Sequence, residues 1–218
     1  MPTLCDVLRW RAVHEGARVA HIFLPDAGDV EPRQTYAELD LRARAIAATL
    51  RERCAPGDRA VLLFPAGLEF VEAFFGCLYA GVIAVPAYPP RNRGHLPRLR
   101  SVLADSGATL ALTNAKTLAA VRGIIADDPA WSALAWLATD TVPASAAEAW
   151  RAPAIGASDL AFLQYTSGST GAPRGVMVTH ANIVYNAHYI QESFRLHRES
   201  VSVSWLPAFP DMGLIDGV

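Results

Sequence analysis

The residues best equipped for chemistry form one run, Gln164-Tyr165-Thr166-Ser167-Gly168-Ser169-Thr170-Gly171-Ala172-Pro173-Arg174-Gly175. Three glycines, two serines and two threonines fall between Thr166 and Gly175, with Pro173 and Arg174 among them. Glycine opens backbone conformations closed to other residues and lets the chain approach a ligand closely. Successive backbone N–H groups in such a loop form an electropositive nest for an anion. The hydroxyls of Thr166, Ser167, Ser169 and Thr170 add neutral donors, and Arg174 adds a permanent charge with a forked donor face. This is the chemistry that holds the phosphates of a nucleotide. The competing reading is a flexible Gly/Ser surface linker, but linkers seldom carry strand-like runs on both sides or a proline–arginine pair in the turn. The loop is not a Walker A element, because the fifth position after Gly168 is Pro173 and no G-x-x-x-x-G-K-S/T match occurs.

The flanking runs must position this loop. Leu160 to Tyr165 reads as a strand entering it and Val176 to Thr179 as a strand leaving it, a strand–loop–strand unit. Upstream, Leu4 to Val13 suits a short amphipathic helix, and Ala20 to Leu24 and Arg33 to Thr35 look extended. Thr35 with Glu38 forms a capping-box pattern that opens a helix to about Arg53, which Pro56-Gly57-Asp58 stops. Strands are expected over Arg59 to Phe64, Val82 to Val85, Thr109 to Thr113 and within Trp131 to Ala138. Helices are expected over Glu69 to Tyr79, Leu96 to Ala104 and from the N-cap Asn114 through Ile125. Thr139 to Ser158, rich in Ala, Pro and Ser, reads as a connecting loop with one helical turn. Asn182 to Phe194 reads as a helix, Val201 to Leu206 as a strand, and Asp211 as the start of another helix. The alternation implies an α/β fold with parallel or mixed sheets covered by helices.

Composition narrows the function classes. The chain has 218 residues, 52% of them apolar, and a formal net charge of −2, so it lacks the basic footprint of a nucleic-acid partner. Four arginines, Arg91, Arg93, Arg98 and Arg100, gather around Asn92, Gly94 and His95. They read either as a second anion site or as a solvated loop and helix face, the commoner role of a short basic run. Cys5, Cys54 and Cys77 are too few and scattered for a disulfide framework or zinc cluster, which suits a reducing cytoplasm. No metal site is expected within the chain. Phe70 to Tyr88 carries only Glu72 as a charge, yet Gly81 and Pro86 divide it into a helix and a short strand, so no membrane span is expected. His180, after the loop, is read as structural rather than as a general base.

Thr166 to Gly175 resembles the phosphate-binding signature T-S-G-S-T-G-x-P-K-G of the acyl-adenylate-forming (AMP-binding) superfamily, with Arg174 in the lysine position. Phe162-Leu163-Gln164-Tyr165, Val85-Pro86-Ala87-Tyr88-Pro89-Pro90, Ser204-Trp205-Leu206-Pro207 and Asp211-Met212-Gly213-Leu214-Ile215 look like its fatty acyl-AMP ligase branch. The resemblance runs from about Thr35 to Val218. It implies that residues 1–218 are the N-terminal portion of the large adenylating domain. It also implies a reaction in which a fatty acid or other carboxylic acid and Mg-ATP give acyl-AMP and pyrophosphate, with an acyl carrier protein as an acyl acceptor. On this resemblance Thr166, Ser167, Gly168, Ser169, Thr170, Gly171, Arg174 and Gly175 bind phosphate, while Trp205, Pro210, Asp211, Met212 and Gly213 border the acyl pocket. The magnesium-binding glutamate, the ribose-binding aspartate and the catalytic lysine are expected outside the chain.

Two positions depart from the branch pattern W-L-P-x-x-H-D-M-G-L-I-G-G. Pro210 stands at the histidine and Asp216 at the first glycine of the final pair. A histidine can donate to a carboxylate or phosphate and proline cannot. Asp216 introduces a carboxylate beside a negatively charged substrate unless it points away. These departures favour an alternative, a non-catalytic nucleotide- or acyl-binding remnant. A coenzyme A-dependent relative or an amino-acid adenylation domain is a further alternative; Gln164-Tyr165 and Asp211-Met212-Gly213 weigh against amino acids.

Overall fold

A computed structural model describes residues 2–25, 31–166 and 173–206. Its centre is a six-stranded sheet in the order β6-β5-β3-β4-β7-β8. The strands are β3 (Arg59–Leu63), β4 (Ile83–Ala87), β5 (Leu110–Thr113), β6 (Ala135–Ala138), β7 (Leu160–Thr166) and β8 (Arg174–Thr179). All neighbours pair in parallel except β7 with β8, which form an antiparallel hairpin. A separate two-stranded ribbon joins β1 (Val19–Ile22) to β2 (Arg33–Thr35), antiparallel.

Helices cover both faces of the large sheet, as parallel strands require. The alternation of side chains along each strand assigns them to two cores. On β3, Ala60 and Leu62 face one core and Val61 and Leu63 the other; on β7, Phe162 and Leu163 divide in the same way. The first core is roofed by α1 (Leu4–His14), α2 (Tyr36–Arg51) and α3 (Leu68–Ala80), the second by α4 (Leu96–Ser106), α5 (Ala115–Ile125) and the short α6 (Pro129–Ser132). Rings knit the first roof to the sheet: Phe74 of α3 meets Phe162 edge-on at 5.7 Å between centroids, and Phe70 meets Phe64 at 6.4 Å. Edge-to-face contact places a ring's positive rim on its neighbour's negative face.

Local sequence explains where the helices begin. Thr3 with Asp6, Thr35 with Glu38 and Thr179 with Asn182 each form reciprocal capping boxes, satisfying N–H groups that the first turns of α1, α2 and α7 (His180–Phe194) would leave open. Helix α3 ends at Gly81, whose φ of 72° lies in the left-handed region. The candidate membrane stretch from Phe70 to Tyr88 is α3 followed by β4, and no helix among the described residues is long and apolar enough to cross a membrane.

The connecting loop expected over Thr139 to Ser158 contains two 3-10 helices, Thr139–Thr141 and Ala144–Ala149, and is tied to the core. Trp150 donates its indole N–H to the Tyr79 carbonyl at 2.9 Å. Arg42 donates to the carbonyls of Thr139 and Val142, both at 2.8 Å, and contacts Glu72 at 3.3 Å, which also accepts from Gln34 at 2.6 Å. Burial raises the Glu72 pKa above the usual carboxylate value in spite of Arg42. The strand expected over Val201 to Leu206 is not formed. That segment has no regular structure, and Val201 and Val203 are 84% and 73% exposed. Its alternating apolar residues lack a paired strand among the described residues, and alternation without a ladder does not make a strand. The helix expected from Asp211 lies outside the described residues.

Helix α7 is anchored at its first residue. His180 is buried, its Nδ1 accepts the Leu4 N–H at 3.4 Å, and its own N–H donates to the Asp159 carbonyl at 3.1 Å. Burial lowers the imidazole pKa below 6.5, while the carboxylates of Asp159 and Asp6 act in the opposite sense. The unfolded chain therefore binds the extra proton more readily than the folded one. The resulting stability is complete above the unfolded pKa of about 6.5 and declines as pH falls from there through the lowered folded value. Between about pH 7.5 and about pH 5 the urea midpoint of the wild type should fall further than that of His180→Gln; parallel declines would contradict this. A second test concerns the α2–α3 contact. A Cβ on Gly76 would lie 2.5 Å from Ile46 Cγ2, so Gly76→Ala should lower stability by about 1–3 kcal/mol in a urea melt. Ile46→Ala in the same chain should give a total loss smaller than the sum of the single losses, because it removes the clashing methyl group.

Candidate functional site

The β7–β8 hairpin brings both ends of the Gly/Ser loop together. Thr166 pairs across the ladder with Arg174, and Tyr165 with Gly175. Thr166 ends a strand parallel to β4, so the loop leaves the sheet at the edge where β3, β4, β5 and β6 also end. Open α/β sheets bind ligands beyond these carboxyl ends. The side chains of Thr166 and Arg174 are exposed there, and Arg174 has no ion pair among the described residues. A hydroxyl and a free guanidinium on directly opposed residues make a donor set suited to an anion. Ser167, Gly168, Ser169, Thr170 and Gly171 lie outside the described residues.

Gly175 permits a close approach. A Cβ built there would stand 3.0 Å from Tyr165 Cζ and 3.1 Å from its hydroxyl oxygen, so the tyrosine ring lies across bare backbone. The Tyr165 hydroxyl donates to Asp105 Oδ2 at 2.6 Å. Burial, reinforced by that carboxylate, raises the phenol pKa well above its ordinary value. Asp105 sits in the last turn of α4, sixty residues before Tyr165. No local pattern in the sequence marks the pairing or singles out Asp105.

The remaining site candidates fall elsewhere. Trp205 belongs to the irregular segment after α7 and is 90% exposed; Pro210, Asp211, Met212 and Gly213 lie outside the described residues. In the arginine cluster, Arg93 pairs with Asp127 at 2.8 Å and Arg100 with Asp128 at 2.6 Å, while Arg91 and Arg98 are exposed. This is a solvated loop and helix face with half its charge offset. An open groove of about 500 Å³ between α1, α2 and the Ala144–Ala149 helix is lined by Arg9, Asp40, Arg44, Glu148 and Trp150. Arg44 there pairs with Asp40 at 2.8 Å and Arg9 lies over the Trp150 ring at 4.8 Å, and the groove lies on the opposite face of the sheet from Tyr165. Among the described residues, no group of three or more His, Cys, Asp or Glu side chains could hold a metal ion.

Known proteins carry the same framework. The family model of the AMP-binding enzymes matches residues 8–218. The medium-chain-fatty-acid–acyl-carrier-protein ligase JamA of Moorena producens is 40% identical over 220 residues, covering 99% of this chain and 37% of that protein. The long-chain-fatty-acid–AMP ligase FadD32 of Mycolicibacterium smegmatis is 39% identical over 216 residues, covering 97% of this chain and 34% of its own length. The crystal structure of a fatty acyl-adenylate ligase from L. pneumophila, in complex with acyl adenylate and pyrophosphate, superposes with a TM-score of 0.88 at 39% identity; the match covers 98% of this chain and 37% of that one. The chain thus spans a little over a third of the length of these relatives. With the Gly/Ser loop carried by a hairpin at the carboxyl edge of a doubly covered sheet, and with the family model matched nearly end to end, the chain belongs to the AMP-binding enzyme family.

Proposed function

We propose that residues 1–218 are the N-terminal portion of the large adenylating domain of an enzyme that joins a fatty acid to AMP. The observation that carries this reading is the opposed pair Thr166 and Arg174 at the mouth of the signature loop. Exposed apolar side chains along β8 and α7, among them Val176, Met177, Tyr185, Tyr189 and Phe194, support a larger parent domain that would cover them. In the reaction a carboxylate oxygen attacks the α-phosphorus of ATP, the bond from that phosphorus to the bridging oxygen breaks, and pyrophosphate leaves. Two anions must meet, so positioning and positive charge are what the protein must supply. The Thr166 hydroxyl and the loop donors hold the β- and γ-phosphates, and Arg174 offsets their charge. The donor set fits a triphosphate and not a bare cation. Magnesium, when bound with ATP, would supply further charge neutralisation. Trp205 borders the acyl chain, and the acceptor is an acyl carrier protein, as the name of the Moorena relative says of that protein.

A second reading, a binding remnant without catalysis, is favoured by Pro210 and Asp216. Pyrophosphate exchange with ATP, magnesium and mixed fatty acids separates the two, since sustained exchange by this chain alone eliminates the remnant. For the phosphate assignment, Arg174→Ala should weaken Mg-ATP binding roughly tenfold, the scale of one lost charge-assisted contact. A dissociation constant unchanged by calorimetry would remove Arg174 from the site.

A further inference from the structure

We propose that Tyr165 is a positioning residue: together with Asp105 and Gly175 it fixes the register of the β7–β8 hairpin, and so holds Thr166 opposite Arg174. This rests on the phosphate-binding reading of the loop. The need for such a device follows from the hairpin itself. Strand β8 is the sheet's edge among the described residues and pairs only with β7. Register is normally enforced by a buried face, because a slip of one residue turns every side chain over. Here that enforcement is weak: Val176 and Met177 of β8 are 49% and 68% exposed, and the pairing already shifts register between Leu160 and Phe162.

Tyr165 supplies a specific constraint at the loop end of the hairpin. Its ring lies against Gly175, where a Cβ would stand only 3.0 Å from Cζ, so the pairing of Tyr165 with Gly175 is the one that gives the ring most room. A slip by one position would set the ring against Arg174 or Val176, where a side chain stands. The hydroxyl then ties this pair to α4 through Asp105 at 2.6 Å. Asp105 is itself poorly placed for its own helix, since a carboxylate in the last turn meets the negative end of the helix dipole. A donated hydrogen bond from Tyr165 offsets that disadvantage. Local disagreement of this kind is expected where a residue serves a site instead of its own element. The neighbouring residues on the ladder are Thr166 and Arg174, the two side chains that open toward the loop.

The test measures register and affinity in the same variants of the full 218-residue chain. Amide hydrogen exchange over residues 174–178 reports the hairpin, and calorimetry with Mg-ATP and with inorganic tripolyphosphate reports the site. Tyr165→Phe and Asp105→Ala should each speed exchange in β8 and weaken both ligands about fivefold, while the pair of substitutions together should do no more than either alone. Asp105→Asn, which keeps a carbonyl acceptor, should restore most of the affinity. Gly175→Ala should be worse than any of these, because it displaces the ring. A role confined to stability would lower the melting temperature but leave the affinity of the folded protein unchanged, and that result overturns the proposal, as does additivity of Tyr165→Phe and Asp105→Ala. A wild-type chain that binds neither ligand overturns the phosphate reading and with it the positioning role, whereas the exchange data still decide whether Tyr165 sets the register.

Discussion

The central strands of this protein carry apolar side chains on both faces, and both faces must be kept from water. That constraint organises everything else. Val61, Leu62 and Leu63 are all fully buried, yet they belong to different cores, so neither helical layer can be dispensed with. Parallel pairing follows, because each strand must return to the same edge by way of a covering helix. All the carboxyl ends of β3 to β7 then fall along one edge, and the loop after β7 emerges there. The chemistry of the loop is local, but its address is set by burial.

Burial is not uniform across the sheet. It is nearly complete along β3 and β4 and falls away toward β8, where Arg174, Val176 and Met177 are exposed. The candidate site therefore straddles a rigid strand and a lightly held one. Thr166 inherits its position from the core through Phe162 and Leu163, whereas Arg174 depends on the ladder and on what holds it. Placing a binding loop on a firm scaffold at one end is a common solution to the competing needs of precision and access. Its cost is that the free side of the hairpin needs its own tether.

Polar contacts supply tethers where apolar burial does not. The Arg42, Glu72 and Gln34 cluster joins β2, α2 and α3 to the segment that follows β6. A buried charge with one partner missing is far more costly than the intact set, so such a cluster specifies geometry even where its net contribution is small. His180 does the same for α7 and α1, using a neutral imidazole as acceptor. Asp105 and Tyr165 form the most exposed of these tethers, and Tyr165 directly precedes the loop.

Much of this could be read from the chain. The capping boxes at Thr35 and the Asn114 cap, the strand at Arg59 to Phe64, the helix at Glu69 to Tyr79 and the strand–loop–strand unit around Thr166 to Gly175 all follow from short-range rules of period, capping and turn chemistry. The Gly/Ser loop is also legible locally, because its glycines and hydroxyl residues stand close together in the sequence. Other features were decided only by packing. Val201 to Leu206 has the alternation of a strand and forms none, since a strand exists only with a partner to pair it. Thr139 to Ser158 has the composition of a loose loop and is held by Arg42 and Trp150, whose partners lie far away in the chain. The opposed Thr166 and Arg174 were named by the sequence, but the tie from Tyr165 to Asp105 depends on the order of strands in the sheet. That order is fixed by the mutual burial of two cores, and no periodicity within a single segment encodes which segments will meet.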